Sequence, residues 1–255
     1  MHQLDFGAVT HRGMVRALNE DSIHAEPPVF VVADGIGGAE AGEDASAMVV
    51  GAFRALAEQG ELDSDGVVAT LQRSHEQVRA LQLRAPGAGS TVCGAVVLQY
   101  GEHYYWLIFN LGDSRAFRIY GAPGARRITQ VSVDHSHVQE LVEAGQLSAS
   151  EADQHPERNV VTRAIGSPDG CNPDFWLIPM VTGDRFLFCT DGLLDAPREQ
   201  ARAVLVTEPD PAKATDDLLE LALQSGARDN VSIIVVDVGS TEPDETTIPM
   251  AKAWR

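Results

Sequence analysis

Cysteine is scarce. Cys93, Cys171 and Cys189 are the three in 255 residues, widely spaced and without a C-x-x-C pair. That excludes a disulfide framework and argues against a zinc ribbon. Basic residues are few as well: 19 Lys and Arg stand against 37 Asp and Glu, a formal net charge of −18. A surface of that sign repels phosphate backbones and anionic lipid, so neither nucleic acid nor membrane is an expected partner. Metal cations stay open, because hard cations take carboxylate ligands. Long apolar runs are missing. The longest, such as VSIIVVDV, have strand length and fall far short of a membrane span. The opening MHQLDFGAVTHRG has no basic stretch followed by an apolar one, so no signal peptide is read there. A reduced, cytoplasmic, soluble chain is expected, and as a monomer.

What is present suits one large domain. Hydrophobic residues make up 44% of the chain, and a chain this long buries most of its unfolded surface without staples. Val29–Ala33 reads as a buried strand. Glu43–Gln59 reads as a helix with Met48, Val49, Ala52, Phe53 and Leu56 on one face. Asp65–Leu83 reads as a second, with Val67, Leu71, Val78 and Leu81 inward, stopped by Pro86-Gly87. Thr91–Leu98 and Tyr104–Leu111 form an expected hairpin, and Arg115–Tyr120 continues it. Ser136–Ala144 is a short helix, and Ser148-Ala149-Ser150-Glu151 a capping box opening another. Val160–Ile165, Phe175–Pro179 and Arg185–Thr190 read as extended. Helices near Arg198–Val206 and Pro211–Ser225 precede the last strand, Val231–Val238. Residues 135–167 form a polar, helical insertion, an expected mobile flap. Residues 1–238 make one domain, and 239–255 an expected loosely ordered tail. Few βαβ alternations predict α+β architecture with antiparallel sheets.

The aspartates carry the chemistry. VFVVADG ends in Asp34-Gly35, YWLIFNLGDSR carries Asp113 just past a strand, and FLFCTDG ends in Asp191-Gly192. In ARDNVSIIVV, Asp229 precedes its strand. An antiparallel last strand would bring all four to one rim. Each Asp-Gly alone is an ordinary turn. Four gathered carboxylates are not, since two unit charges about 4 Å apart repel by roughly 1–4 kcal/mol at dielectrics of 80 to 20. A hard divalent cation offsets that, and with no soft ligand nearby Mg²⁺ or Mn²⁺ suits better than Zn²⁺ or Cu²⁺.

RALNEDS, VVADGIGGAEAGEDAS, NLGDSRAFRI, VTRAIGS, FLFCTDGLLD and ARDNVSIIVV follow one another in the chain. In that order they resemble the metal-dependent protein Ser/Thr phosphatases of the PPM, or protein phosphatase 2C, type, in a bacterial style, from about Phe6 to Val238. The resemblance implies a four-layer α-β-β-α sandwich: two antiparallel sheets flanked by helix pairs, with a small helical flap at 135–167. It implies two, and potentially three, Mn²⁺ or Mg²⁺ ions at one edge. Asp34 would bridge the core ions and the Gly35 carbonyl bind one of them, glycine allowing an unusual turn and close approach. Asp191 and Asp229 would complete the other core site. Asp113 would share a third ion with Asp191. Glu20 and Asp21 would stand near the second ion, in contact through water. Asn230 would position Asp229, and Arg16 would take the substrate phosphate, its planar guanidinium pairing with two oxygens at once.

The implied activity is hydrolysis of phosphoserine and phosphothreonine in proteins by a metal-bridged hydroxide, opposing a bacterial Ser/Thr kinase. Asp34, Asp191, Asp229 and Arg16 would be its catalytic residues. Two other readings stay open: a phosphatase-like module that senses phosphoproteins without turnover, and a phosphomonoesterase of small molecules. The sequence departs from the family at Ile36 and Ala39, where relatives carry histidines. Metal-bound water is then the expected proton donor, with His135, His137 and His155 of the flap as alternatives.

Overall fold

The computed structural model describes residues 2–241 except 38, 39, 61, 123 and 153. The first strands are β1 (His2–His11), β2 (Asp21–Glu26) and β3 (Val29–Ile36), followed by α1 (Glu40–Ala57) and α2 (Ser64–Leu81). Then come β4 (Gly89–Ser90), β5 (Val92–Tyr100), β6 (His103–Leu111), β7 (Arg115–Tyr120) and β8 (Arg127–Gln130). The flap holds α3 (His137–Glu143) and α4 (Ala149–Ala152), and β9 (Asp174–Pro179) and β10 (Arg185–Cys189) follow it. A 3-10 turn, Asp191–Asp195, leads to α5 (Arg198–Thr207), α6 (Pro211–Gln224) and β11 (Val231–Thr241).

Two antiparallel sheets result, one ordered β1-β11-β10-β7-β8 and the other β2-β3-β5-β6-β9, with β4 on β3. Three apolar layers separate four structural ones. Phe30, Val32, Trp106, Ile108, Phe186, Phe188 and Ile234 fill the space between the sheets. Val49, Phe53, Leu71 and Val78 of α1 and α2 pack on Val31, Val96 and Phe109. Leu205, Leu218 and Ala222 of α5 and α6 pack on Leu187, Ile233 and Val235. Strands buried on both faces read as continuous apolar runs, and β3, β5 and β10 do so. The four-layer sandwich is therefore the observed architecture.

Sheet direction gathers the acids. β3 and β6 are each antiparallel to β5, so Asp34 and the residues leading to Asp113 leave their sheet at the same end. β10 and β11 are antiparallel, which brings Asp191, after one strand, beside Asp229, before the other. Two expectations are corrected. Val160–Ile165 is not a strand, because it makes only isolated bridges, Val161 to Ser136 and Ile165 to Ser90. Gly239–Thr241 extends β11, held by the pairing of Thr241 with His2, so the tail expectation survives only for 242–255, which lies outside the described residues. β1, β2, β4 and β8 were not foreseen; β1, β2 and β8 are edge strands and β4 is a two-residue strand beside β3. The capping box is formed: Ser148 N donates to Glu151 Oε2 at 2.8 Å, and Glu151 N to Ser148 Oγ at 3.3 Å.

Candidate metal centre

Asp34, Asp113, Asp191 and Asp229 line one cavity of about 560 Å³. Arg16, Glu20 and Gly35 border it, and so do the Gln82–Gly89 turn after α2 and the flap residues Asn159, Val161 and Ala164–Pro168. Asp34 is fixed from both sides of its own peptide: its N–H donates to Thr91 Oγ1 at 3.0 Å and its carbonyl accepts Thr91 N–H at 2.8 Å. Asp21 sits directly opposite Asp34 in the β2–β3 register. Its Oδ2 accepts from Thr190 Oγ1 at 2.8 Å and Ser232 Oγ at 2.7 Å. Asp21 is buried and does not line the cavity, so it stands beside Asp34 behind the lining.

The glycine of Asp34-Gly35 has a different reason from the turn expected. Gly35 belongs to β3 and pairs with Ser90. A Cβ there would stand 2.1 Å from the Gly42 carbonyl oxygen and 2.6 Å from that of Glu20. The close approach of α1 and the Glu20 backbone, not an unusual φ, demands glycine.

The acids pay a large electrostatic penalty. Burial pushes the Asp21 carboxyl up to about 7 against the hydroxyl bonds that favour its charge, with Asp191 and Asp229 adding repulsion. Burial and repulsion from Asp191 and Asp134 push Asp113 up to about 7. Asp191 rises to about 6 through burial and Asp229. Asp34 is raised well above the carboxylate range by burial, Asp21, Asp191 and Asp113. Glu20 is raised by burial. Desolvation leads in every case.

These residues pass the test of fit for a hard cation. Glu20 Oε1, Asp21 Oδ1 and Asp191 Oδ1 are buried without a hydrogen-bond partner, and buried carboxylate oxygens are ordinarily satisfied. The donor set is all oxygen, as Mn²⁺ and Mg²⁺ prefer. Yet among the described residues no three His, Cys, Asp or Glu side chains stand at ion-holding spacing. The unpartnered oxygens and the spacing therefore point different ways, and the physical reason is visible. Asp229 is turned to Arg16, whose Nη2 donates to its Oδ2 at 2.6 Å.

Asn230 does more than the sequence suggested, and Thr190 and Ser232 were missed there. Asn230 Nδ2 donates to the carbonyls of Arg12 and Leu18, both at 2.9 Å, while its Oδ1 accepts Glu20 N–H at 2.8 Å. It thus staples both ends of the loop carrying Arg16. Its own N–H donates to Asp229 Oδ1 at 2.8 Å, which agrees with the expectation that it positions Asp229. Thr190 directly follows β10 and Ser232 is the second residue of β11, hydroxyls beside long apolar runs that no local pattern ties to Asp21. Among the described residues the cavity lining holds no histidine. His137 pairs with Glu157 at 3.4 Å and His155 Nδ1 accepts Glu157 N–H at 3.2 Å, both away from the acids.

A family profile for protein phosphatase 2C matches residues 12–231. The chain belongs to the protein phosphatase 2C family. It is 32% identical to the serine/threonine protein phosphatase PstP of Mycobacterium tuberculosis over 99% of this chain, and spans 51% of that relative's length. The chain thus covers about half of the curated relative it matches. It is 28% identical to the serine/threonine phosphatase stp of Listeria monocytogenes, over 91% of this chain and 95% of that one. The crystallised catalytic domain of PstP in complex with two manganese ions superposes with a TM-score of 0.82 at 30% identity, covering 94% of this chain and 100% of that domain. Proteins of the family are metal-dependent phosphatases.

Proposed function

We propose that this chain hydrolyses phosphoserine and phosphothreonine in proteins, with Mn²⁺ or Mg²⁺ held at the cavity. The observation that carries the reading is a cavity lined by Asp34, Asp113, Asp191 and Asp229 and bordered by an arginine, with unpartnered buried oxygens on Glu20 and Asp191 at its wall and on Asp21 behind it. Asp34, the Gly35 carbonyl, Asp191 and Asp229 would hold two ions, and Asp113 with Asp191 a third. Glu20 and Asp21 would act at the periphery, Asp21 from behind the lining. Bound ions supply activation of water for attack on phosphorus and offset charge on the phosphoryl oxygens.

The remaining work falls to the chain itself. Arg16 lines the cavity and would exchange Asp229 for two phosphate oxygens, which a planar guanidinium meets in parallel. Asn230 holds the Arg16 loop at both ends, so the guanidinium arrives prepositioned. The flap residues Asn159, Val161 and Ala164–Pro168 form the opposite wall, where the peptide flanking the phosphoresidue would lie. All four rim aspartates are present, which favours turnover over a sensing role. A Ser/Thr kinase acting on the same proteins is the expected counterpart. Three free buried cysteines suit a reducing compartment such as the cytoplasm.

The test compares a phosphothreonine peptide, a phosphoserine peptide, p-nitrophenyl phosphate and a small sugar phosphate, with Mn²⁺ and after chelation. Peptide turnover that disappears on chelation and returns with Mn²⁺ is expected. Binding of phosphopeptide without turnover would favour the sensing module. Turnover of the sugar phosphate alone would favour the small-molecule reading.

A further inference from the structure

His135, one of the flap histidines considered as a proton donor, is buried and does not line the cavity. His135 is 4% exposed, and both ring nitrogens are engaged. Nδ1 accepts the Gly112 N–H at 3.2 Å, and Nε2 meets Asp174 Oδ2 at 3.2 Å. The His135 main chain returns to the same residue, its N–H donating to the Gly112 carbonyl at 2.8 Å. A ring nitrogen that accepts carries no proton, so the ring proton sits on Nε2 and faces Asp174. With both nitrogens committed, His135 does not supply a proton to the cavity.

The residue before it completes a bracket. Asp134 takes Arg115 in a bidentate grip, Nε at 2.8 Å and Nη2 at 2.6 Å from Oδ2, with Nε at 3.1 Å from Oδ1. Two consecutive residues therefore hold both flanks of Asp113: Gly112 before it and Arg115 after it. Gly112 needs such a hold. Its φ is +122°, a region open to glycine, and a Cβ would stand 2.6 Å from Thr91. Asn110 Nδ2 adds a bond to the Gly112 carbonyl at 3.0 Å, but the Gly112 N–H is met by the imidazole. On its other side His135 reaches the flap's returning limb. Its carbonyl accepts Thr162 N–H at 2.8 Å, and Asp174 lies 3.9 Å from Arg163, between the cavity-lining Val161 and Ala164.

We propose that His135 is a positioning residue: its unprotonated Nδ1 fixes Gly112 and so aims Asp113 into the cavity, and through Asp174 and Thr162 it ties that carboxylate to the flap. The proposal rests on the reading of Asp113 as an ion ligand. Outer partners of metal ligands set affinity by about 10–100-fold, so the effect is read in ion binding rather than in turnover.

The experiment titrates the whole chain with MnCl₂ by calorimetry, beside thermal melts. Asp113→Ala should remove the weakest Mn²⁺ step. His135→Asn keeps an acceptor near the Nδ1 position and loses the donor to Asp174. His135→Gln places an amide near Nε2 and offers no acceptor to Gly112. The weakest step should stay within about threefold of the parent in His135→Asn and weaken about tenfold or more in His135→Gln, the tighter steps unchanged in both. Equal losses in the two variants, or a milder loss in His135→Gln, would overturn the proposal, whatever the melts show. Unchanged steps in Asp113→Ala would instead overturn the reading of Asp113, and the proposal with it. A step lost in Asp113→Ala but in neither histidine variant would overturn the positioning role alone.

Discussion

At the scale of single residues, charge decides. Asp191 is held up to about 6 by burial first and Asp229 second, so its negative charge opposes the fold when no cation offsets it. Asp191→Asn should lower turnover by about 10²-fold or more, the scale of losing one electrostatic contact in the transition state. Without metal the same variant should melt higher, by about 2–4 °C for each kcal/mol of relieved repulsion in a chain of this size. A lower melting temperature in the metal-free variant would contradict the repulsion. Arg16 is half-exposed and paired with Asp229 at 2.6 Å, so its removal should cost binding more than folding. Arg16→Ala should raise KM for phosphopeptides more than it lowers kcat, and an unchanged KM would remove Arg16 from phosphate binding.

At the scale of elements, the loop from Arg12 to Glu20 is the instructive case. It connects β1 to β2, yet it is organised by a residue from the far end of the chain, Asn230, through three hydrogen bonds. Asn230→Ala leaves those backbone groups to find other partners, at about 1–3 kcal/mol where they stay buried. Urea denaturation should show that loss, and KM should rise with it because the Arg16 loop is released. A variant as stable as the parent with unaltered KM would show that the loop holds itself. The strands that escaped the sequence are also explained here. β1 alternates half-buried and exposed residues as the outer strand of its sheet, and β2, DSIHAE, is mostly polar on the edge of the other. Such strands bury one face or less and lose the apolar run that marks β3, β5 and β10.

At the scale of the whole molecule, the acids on one edge make stability depend on pH and on cations. Asp21 and Asp113 stand at about 7 and Asp191 at about 6, against the ordinary 3.8. Raised values mean that the folded chain holds these protons where the unfolded chain has released them. Their contribution is therefore full below 3.8 and lost as pH rises through about 7. Melting of the chelated protein should fall across that window, and Mn²⁺ should flatten or reverse the slope, because an ion that binds only the folded state stabilises it. A metal-free melting temperature that climbs from pH 5 to 8 would contradict the sign.

The sequence by itself determined which acids gather around the cavity and the layers that carry them. Asp34, Asp113, Asp191 and Asp229 were legible because acids at the ends of long apolar runs break the pattern of a buried strand. The helices were legible because Val49, Phe53, Leu71 and Val78 recur at helical spacing. Only the tertiary structure decided what surrounds those acids. Thr190 and Ser232 reach Asp21, Asn230 reaches the Arg16 loop, and Asp134 and His135 bracket Asp113, across separations in the chain that no local pattern records. Gly35 looked like a turn residue and proved to be a point where α1 and the Glu20 backbone press against β3. The reason is common to all of them: apolar periodicity is a property of one segment, whereas a hydrogen bond or a steric contact between two segments exists only once the sheets have met.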